Sequence, residues 1–155
     1  MHPGPGERVT CLRSGLGGGS FIFEFEVAPN GKGPPRHTHD EGDEIIAVTR
    51  GVLEVEVNGQ WRRLGPGEAV TLRPSDVHTF RNGSKDEPVV CEVVHGSRFE
   101  RAIVQRSFLD ICYYLAYVDP GVTRMRSLAV RALMRAMAFI AKLAGAARRS
   151  SVAPQ

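Results

Sequence analysis

Hydrophobic and polar residues alternate with a period of two through much of the chain before residue 98. The clearest case is the segment 21–27, in which phenylalanines and a valine alternate with glutamates. This period is typical of a strand that is buried on one face. The same kind of pattern, or a short apolar run rich in β-branched residues, predicts further strands over 44–48, 52–57, 60–64, 69–72, 78–81 and 89–94.

Turn-forming residues separate these strands. Asn58 and Gly59 stand between two of them, and Asn-Gly is a strong hairpin signal because both residues tolerate positive φ. Segment 28–36 and residues 65–67 are also rich in glycine or proline. Many short strands without a helical period predict a mainly β fold, an antiparallel sandwich or small barrel.

The period changes after residue 97. Apolar residues then recur at spacings of three and four, which predicts a helix over 97–118 that is stopped by Asp119, Pro120 and Gly121. A second helix is predicted over about 122–147. The chain is therefore divided into a flexible segment 1–20, a β domain 21–97, a pair of C-terminal helices within 98–149, and a tail 150–155.

Length and composition indicate one ordinary globular domain. The chain has 155 residues, of which 42% are hydrophobic and 24% charged, so it is neither disordered nor fibrous as a whole. Three cysteines without a C-x-x-C spacing favour a reducing compartment. The N-terminal residues contain no apolar segment of the secretory type. We therefore expect a cytoplasmic protein.

The charges are distributed unevenly. Residues 120–155 hold seven of the 20 basic residues and none of the 17 acidic ones. On a helix the following basic residues would form one stripe beside an apolar surface: Arg124, Arg131, Arg135, Lys142 and Arg149. This pattern suits peripheral contact of residues 122–149 with an anionic membrane. The alternative is that the helices pack against the β domain or a dimer mate with the arginines in water.

Four residues are candidates for a metal site. His37 and His39 are two apart, which places both imidazoles on one face of a strand. Glu44 follows a turn-like stretch, and His78 lies on a later strand. Three imidazoles and one carboxylate suit a divalent transition metal and leave positions open for a substrate. The alternative is that these residues bind nothing, because surface histidines are common and spacing does not show geometry across strands.

The spacing of these residues resembles the cupin family. Gly31, His37, His39, Glu44 and Gly51 reproduce the first cupin motif, G(X)5HXH(X)3-4E(X)6G, without a mismatch. The second motif, G(X)5PXG(X)2H(X)3N, is met in part over residues 67–82. Its first glycine, histidine and asparagine are present, whereas its proline and second glycine positions hold arginine and serine: Gly67, Arg73, Ser75, His78 and Asn82.

The resemblance covers about residues 20–95 and implies an antiparallel jelly-roll barrel with a metal inside. His37, His39, Glu44 and His78 would bind one divalent metal ion, which is Fe, Mn, Ni or Zn. Glu44 would also act in catalysis, because a carboxylate ligand can leave the metal and accept a proton. Cupins of this size commonly form homodimers.

Two classes of function are compatible with this resemblance. The first is a metal-dependent enzyme of dioxygenase, cyclase, isomerase or lyase type that acts on a small oxygenated molecule, with a dioxygenase-like oxidoreductase preferred. The second is a non-catalytic sensor or binding module, tethered to a membrane or partner by the C-terminal helices. No nucleic-acid partner is expected, since no motif supports one.

Several other residues are weaker candidates, each with a structural alternative. Arg36 and Arg73 would bind an anionic substrate or remain solvated. His95 or Glu92 would act as acid or base, or have a structural role. Six apolar residues would line a pocket or fill the barrel: Phe23, Phe25, Val55, Val70, Leu72 and Phe80. A nucleophilic role for Cys91 is not expected, and Trp61 would cover a sheet edge.

Overall fold

Two antiparallel sheets form most of the molecule. The structure is a computed structural model that describes residues 6–40, 42–105 and 108–143. Within these ranges the strands are β1 Glu7–Arg13, β2 Ser20–Val27, β3 His37–Thr38, β4 Glu44–Arg50, β5 Leu53–Val57, β6 Gln60–Leu64, β7 Ala69–Leu72, β8 His78–Asn82, β9 Val89–Gly96 and β10 Arg124–Met125. One sheet has the strand order β1-β2-β9-β4-β7 and the other β10-β3-β8-β5-β6.

The period-two pattern determines which side chains face the core. Along β2 the phenylalanines and Val27 are buried, whereas Glu24 and Glu26 between them are only partly so. The six apolar residues for which a pocket-lining role was considered all belong to one buried hydrophobic cluster: Phe23, Phe25, Val55, Val70, Leu72 and Phe80. They fill the interior of the jelly roll, and the prediction of a mainly β fold is confirmed.

The predicted hairpin at Asn58-Gly59 is confirmed. Asn58 has φ +51° and Gly59 has φ +87°, and β5 and β6 pair in register on either side of them, with Val57 opposite Gln60. Consecutive positive φ values give the turn a twist that matches the flanking strands.

Asn82 of the second cupin motif connects three segments of backbone. Its buried side-chain amide donates to the carbonyl oxygens of Val27, Ala28 and Glu87 at 2.8–3.1 Å, and its Oδ1 accepts from the N–H of Ser84. Buried carbonyl groups need such partners. This motif residue therefore joins the end of β2 to the turn that follows β8.

The expectation of a flexible segment over 1–20 is corrected by β1. This strand pairs with β2 along its length, with Val9 opposite Phe25 and nearly fully buried. Arg8 forms an ion pair with Glu26 across the two strands at 2.6 Å. Val9 is the one fully buried side chain of β1, so the sequence shows no strong alternation there. Pairing with β2 therefore positions β1.

The predicted pair of long C-terminal helices is also corrected. The first is divided into α1 Ser97–Ile103 and α2 Phe108–Tyr113, and α2 continues as a π-helical turn, Tyr114–Val118. The second helix, α3 Leu128–Leu143, begins later than predicted. Residues 124–125 form β10 because they pair with β3 and because Arg124 forms an ion pair with Asp40 at 2.7 Å. The predicted helical residues 144–147 and Arg149 lie outside the described residues.

The described helices do not have the length and apolar character of a membrane span. Among residues 6–40, 42–105 and 108–143, no helix is both long and apolar enough to cross a bilayer.

Replacing Asn82 by alanine should lower the free energy of unfolding by about 2–4 kcal/mol, because buried carbonyl groups lose their donor. Urea unfolding followed by circular dichroism measures this change. The exposed Gln60→Ala serves as control and should stay within about 0.5 kcal/mol of the unmodified chain. Equal stability of both variants would show that the Asn82 hydrogen bonds do not hold the fold.

Candidate metal centre

The four residues predicted as metal ligands lie together between the sheets. His37 on β3 is directly opposite His78 on β8, and His39 follows two residues after His37. Glu44 begins β4 after the chain turns at Gly42, which has φ +72°. The His78 ring centroid is 4.2 Å from that of His37 and 5.1 Å from that of His39. All four side chains are buried.

Each of the three imidazoles is oriented by a backbone carbonyl. The Nδ1 atoms of His37, His39 and His78 lie 2.8, 2.5 and 2.9 Å from the carbonyl oxygens of Pro35, Val122 and Asp76, respectively. A carbonyl only accepts, so each Nδ1 carries the hydrogen, and in the neutral ring Nε2 is left as a lone pair. This tautomer is the one needed for a metal ligand that binds through Nε2.

The free lone pairs converge on the Glu44 carboxylate. Glu44 Oε2 is 3.2 Å from His39 Nε2 and 3.3 Å from His78 Nε2. All three atoms are buried without a hydrogen-bond partner. Histidines 37, 39 and 78 also each place a possible ligand atom within 4.8 Å of the others. Buried acceptors that face one another are unfavourable without a positive charge between them, so the donor set fits a metal cation.

The shifted pKa values of these side chains also indicate that the site favours a positive charge. Burial lowers the pKa of His37 to about 3, helped by the neighbouring imidazoles. Burial alone would raise the pKa of Glu44, but its contacts with His39 and His78 outweigh burial and hold it well below its usual range. Burial opposes protonation of His78, yet Glu44 raises the pKa of that ring. The carboxylate therefore favours a cation at the point where these side chains meet.

The residues around this site match a known protein family. The family model described as "Cupin domain" matches residues 23–95. This chain carries a cupin domain. A search of curated proteins gives no match.

Solved cupin structures are similar over somewhat more than half of the chain. A cupin-like protein from Thermotoga maritima is 24% identical, with a TM-score of 0.53 over 59% of this chain and 68% of that one. KdgF from Halomonas sp. is 23% identical, with a TM-score of 0.53 over 61% of this chain and 84% of that one. The polyketide cyclase RemF from Streptomyces resistomycificus is 28% identical, with a TM-score of 0.52 over 59% of this chain and 66% of that one.

The altered turn of the second cupin motif has a residue with positive φ. Ser75 stands where the motif has glycine, and it has φ +74°. Its N–H donates to the carbonyl of His39 at 3.1 Å. The turn therefore still supports the backbone of a candidate ligand, although its serine occupies a conformation that favours glycine.

One partner of the metal centre comes from outside the cupin domain. The carbonyl that orients His39 belongs to Val122, and Thr123 Oγ1 lies 3.3 Å from the same Nδ1. Strand β10 then pairs with β3, and Arg124 binds Asp40 at 2.7 Å. No signal in the sequence marks this contact, because every residue has a carbonyl. The segment after α2 is thus part of the site.

His95 is a fourth imidazole beside the centre. A ring nitrogen of His95 lies within 4.8 Å of ligand atoms of His39 and Glu44. Its Nδ1 accepts a hydrogen bond from the N–H of Gly96 at 2.7 Å, so the neutral ring carries its hydrogen on Nε2. That Nε2 is buried without a partner. Because its tautomer is opposite to that of the three ligands, His95 presents a donor; burial lowers its pKa to about 4.

A cleft of about 280 Å³ reaches His95 from the surface. Its walls are formed by four glycines together with the start of α1 and the residue that orients His39: Gly19, Gly42, Gly96, Gly121, Ser97, Arg98, Phe99 and Val122. The Phe99 ring stacks on His95 at 4.3 Å and fixes the plane of the imidazole. Among the described residues, His95 is the imidazole that lines this cleft.

The two arginines considered as anion binders have other surroundings. Arg36 forms hydrogen bonds with the buried Glu56, the shortest of them 2.7 Å, and so neutralises that carboxylate. Arg73 is exposed, and its backbone N–H donates to Asp76. The structure brings neither guanidinium into the lining of the cleft.

The remaining candidates are Cys91, Glu92 and Trp61. Burial raises the pKa of the Cys91 thiol to about 12, which keeps it protonated and unsuited to nucleophilic attack. Glu92 is exposed on β9. Trp61 is partly exposed on β6, and the Arg81 guanidinium lies 4.5 Å from its ring centroid.

Arg124→Ala should loosen the orientation of His39 without affecting His37 or His78, because it removes the ion pair that anchors the Val122 segment. Nitrogen-15 chemical shifts of the histidine rings report the tautomers directly. We expect His39 to become a mixture while the other two rings keep hydrogen on Nδ1. The exposed Arg126→Ala is the matched control, and an unchanged His39 spectrum in the Arg124 variant would contradict the proposed anchor.

Proposed function

We propose that this chain is a metal-dependent enzyme that acts on a small oxygenated organic molecule. His37, His39, Glu44 and His78 would hold one divalent transition metal. The observation that carries this proposal is the convergence of buried Nε2 and Oε2 atoms that have no hydrogen-bond partner. A carboxylate with three imidazoles suits Fe, Mn, Ni or Zn, and leaves coordination positions for oxygen atoms of a substrate.

When bound, the metal would supply Lewis-acid chemistry by polarising a substrate carbonyl or enol oxygen. The chain's own contribution is to orient the ligands and the substrate. Backbone carbonyls fix the three rings, and His95 donates from Nε2 to a second oxygen of the substrate. Phe99 stacks on His95 and holds the plane of its ring. Glu44 stays the candidate for accepting a proton, as the cupin resemblance implies.

Among the enzyme types, we favour one that rearranges or cyclises its substrate. The support is the likeness to RemF, whose name describes a polyketide cyclase and which is 28% identical over the matched region. A dioxygenase-like oxidoreductase, as expected from the sequence, stays a prediction. Oxygen consumption by the iron-loaded protein with phenols or diketones separates the two, because cyclisation consumes none.

His78→Ala should lower metal content to a small fraction of that of the unmodified chain, because one of four ligands is lost. Elemental analysis of untagged protein measures this. His95→Ala is the matched control and should retain its metal, since its neutral tautomer does not offer Nε2 as a ligand. Circular dichroism of the metal-free proteins establishes that both variants fold. Equal metal content in the unmodified chain and His78→Ala would overturn the proposed centre.

The cobalt-loaded protein should bind acetohydroxamate, a small ligand with two oxygen donors, and change its visible spectrum. Losing the His95 donor should weaken this binding about 10-fold, as expected for one buried hydrogen bond. His95→Ala supplies this comparison, and Glu92→Ala is an exposed control on the same strand. No spectral change in the unmodified protein would mean that the metal has no open positions. Binding of small oxygenated molecules without turnover of any would instead favour the non-catalytic sensor.

A further inference from the structure

Helix α3 exposes a large apolar surface. Leu128, Leu133, Phe139 and Ile140 have exposed fractions of 75, 60, 55 and 54%, and they are four of the eleven exposed large hydrophobic residues in the described ranges. At 100° per residue these four lie on one half of the helix, with exposed alanines between them. Contiguous exposed apolar surfaces mark interaction sites.

The opposite side of α3 is packed. Ala138 and Ala141 are completely buried, and the helix contacts α2 and the π-helical turn that follows it. One side of α3 therefore packs against the rest of the molecule, and its exposed apolar half faces outward.

A row of cations borders the apolar surface. Arg131, Arg135 and Lys142 are exposed and fall within about 40° of one another around the helix. Arg124 is not part of this row, because it belongs to β10 and binds Asp40. No acidic residue occurs between residues 120 and 155, so the cations of α3 have no carboxylate on their own helix.

We propose that α3 binds the surface of an anionic lipid bilayer, with its apolar half in the interface and its cations at the lipid headgroups. A helix of 16 residues is about 24 Å long and would lie along the surface. Charge complementarity favours this occupant over a second copy of the chain. An antiparallel twofold pairing of the same surface would bring the two rows of cations to one side of the pair, and α3 offers no carboxylate to balance them. This proposal does not depend on the metal centre.

Co-sedimentation of the full-length protein with vesicles tests the proposal. We expect binding to vesicles of phosphatidylcholine with phosphatidylglycerol, much weaker binding to phosphatidylcholine alone, and release by salt, because the attraction is partly electrostatic. Two double variants separate the contributions. Phe139→Glu with Ile140→Glu should abolish binding, and Arg131→Gln with Arg135→Gln should weaken it about 30-fold.

Matched controls carry the same chemical changes elsewhere on the surface. Leu12→Glu with Leu16→Glu places two charges at exposed leucines in and just after β1, and Arg50→Gln with Arg62→Gln removes two exposed cations from the β domain. Both controls should bind like the unmodified protein. Thermal unfolding establishes that all variants are folded, which is expected since each altered side chain is exposed.

Three results would overturn the proposal. The first is that the unmodified protein remains in the supernatant with anionic vesicles at low salt. The second is that the control arginine variant weakens binding as much as the α3 arginine variant, because the effect would then come from net charge alone. The third is a dimer in sedimentation that the α3 glutamates convert to a monomer while vesicle binding is unchanged, because the apolar surface would then bind a second copy.

Discussion

Three imidazoles and a carboxylate are buried together between the two sheets, and their lone pairs face one another. Desolvation penalises the Glu44 charge, and a cation among these groups would offset this penalty. Backbone carbonyl oxygens accept a hydrogen bond from the Nδ1–H of each of these three rings, which directs the Nε2 lone pairs toward the carboxylate. The fold thus orients the three rings toward one point, which would limit the reorganisation that metal binding needs.

This arrangement makes the C-terminal segment part of the centre. The carbonyls that orient His37 and His78 lie two residues before each ring in sequence, whereas the carbonyl of Val122 is 83 residues away from His39. Pairing of β10 with β3 and the Arg124–Asp40 ion pair hold that carbonyl in place. Helix α3 begins shortly after β10, so the surface that we propose for lipid binding is connected to the ligands by a short stretch of ordered chain.

The cupin motif residues divide between the fold and the site. Gly51 has φ +77°, and a side chain there would place Cβ 2.5 Å from the carbonyl oxygen of Pro88. Asn82 donates hydrogen bonds to the carbonyls of Val27, Ala28 and Glu87. Ser75 stands at the second glycine position of the motif, has a positive φ that favours glycine, and donates its N–H to the His39 carbonyl. This turn therefore supports the backbone of a candidate ligand although its residues depart from the motif.

The sequence alone determined the β domain and the residues that would meet at its centre. Alternation placed the strands from β2 to β9 closely, apart from the two-residue β3, because the burial of one face requires a period of two. The motif spacing identified His37, His39, Glu44 and His78 because each follows a turn or strand of fixed length.

Only the tertiary structure decided the remaining features. β1 and β10 are ordered by their partner strands, not by their own patterns. The opposite tautomer of His95 depends on the Gly96 N–H, and the orientation of His39 depends on a distant carbonyl. Backbone groups are the same at every residue, so contacts made through them leave no trace in the sequence until the chain has folded.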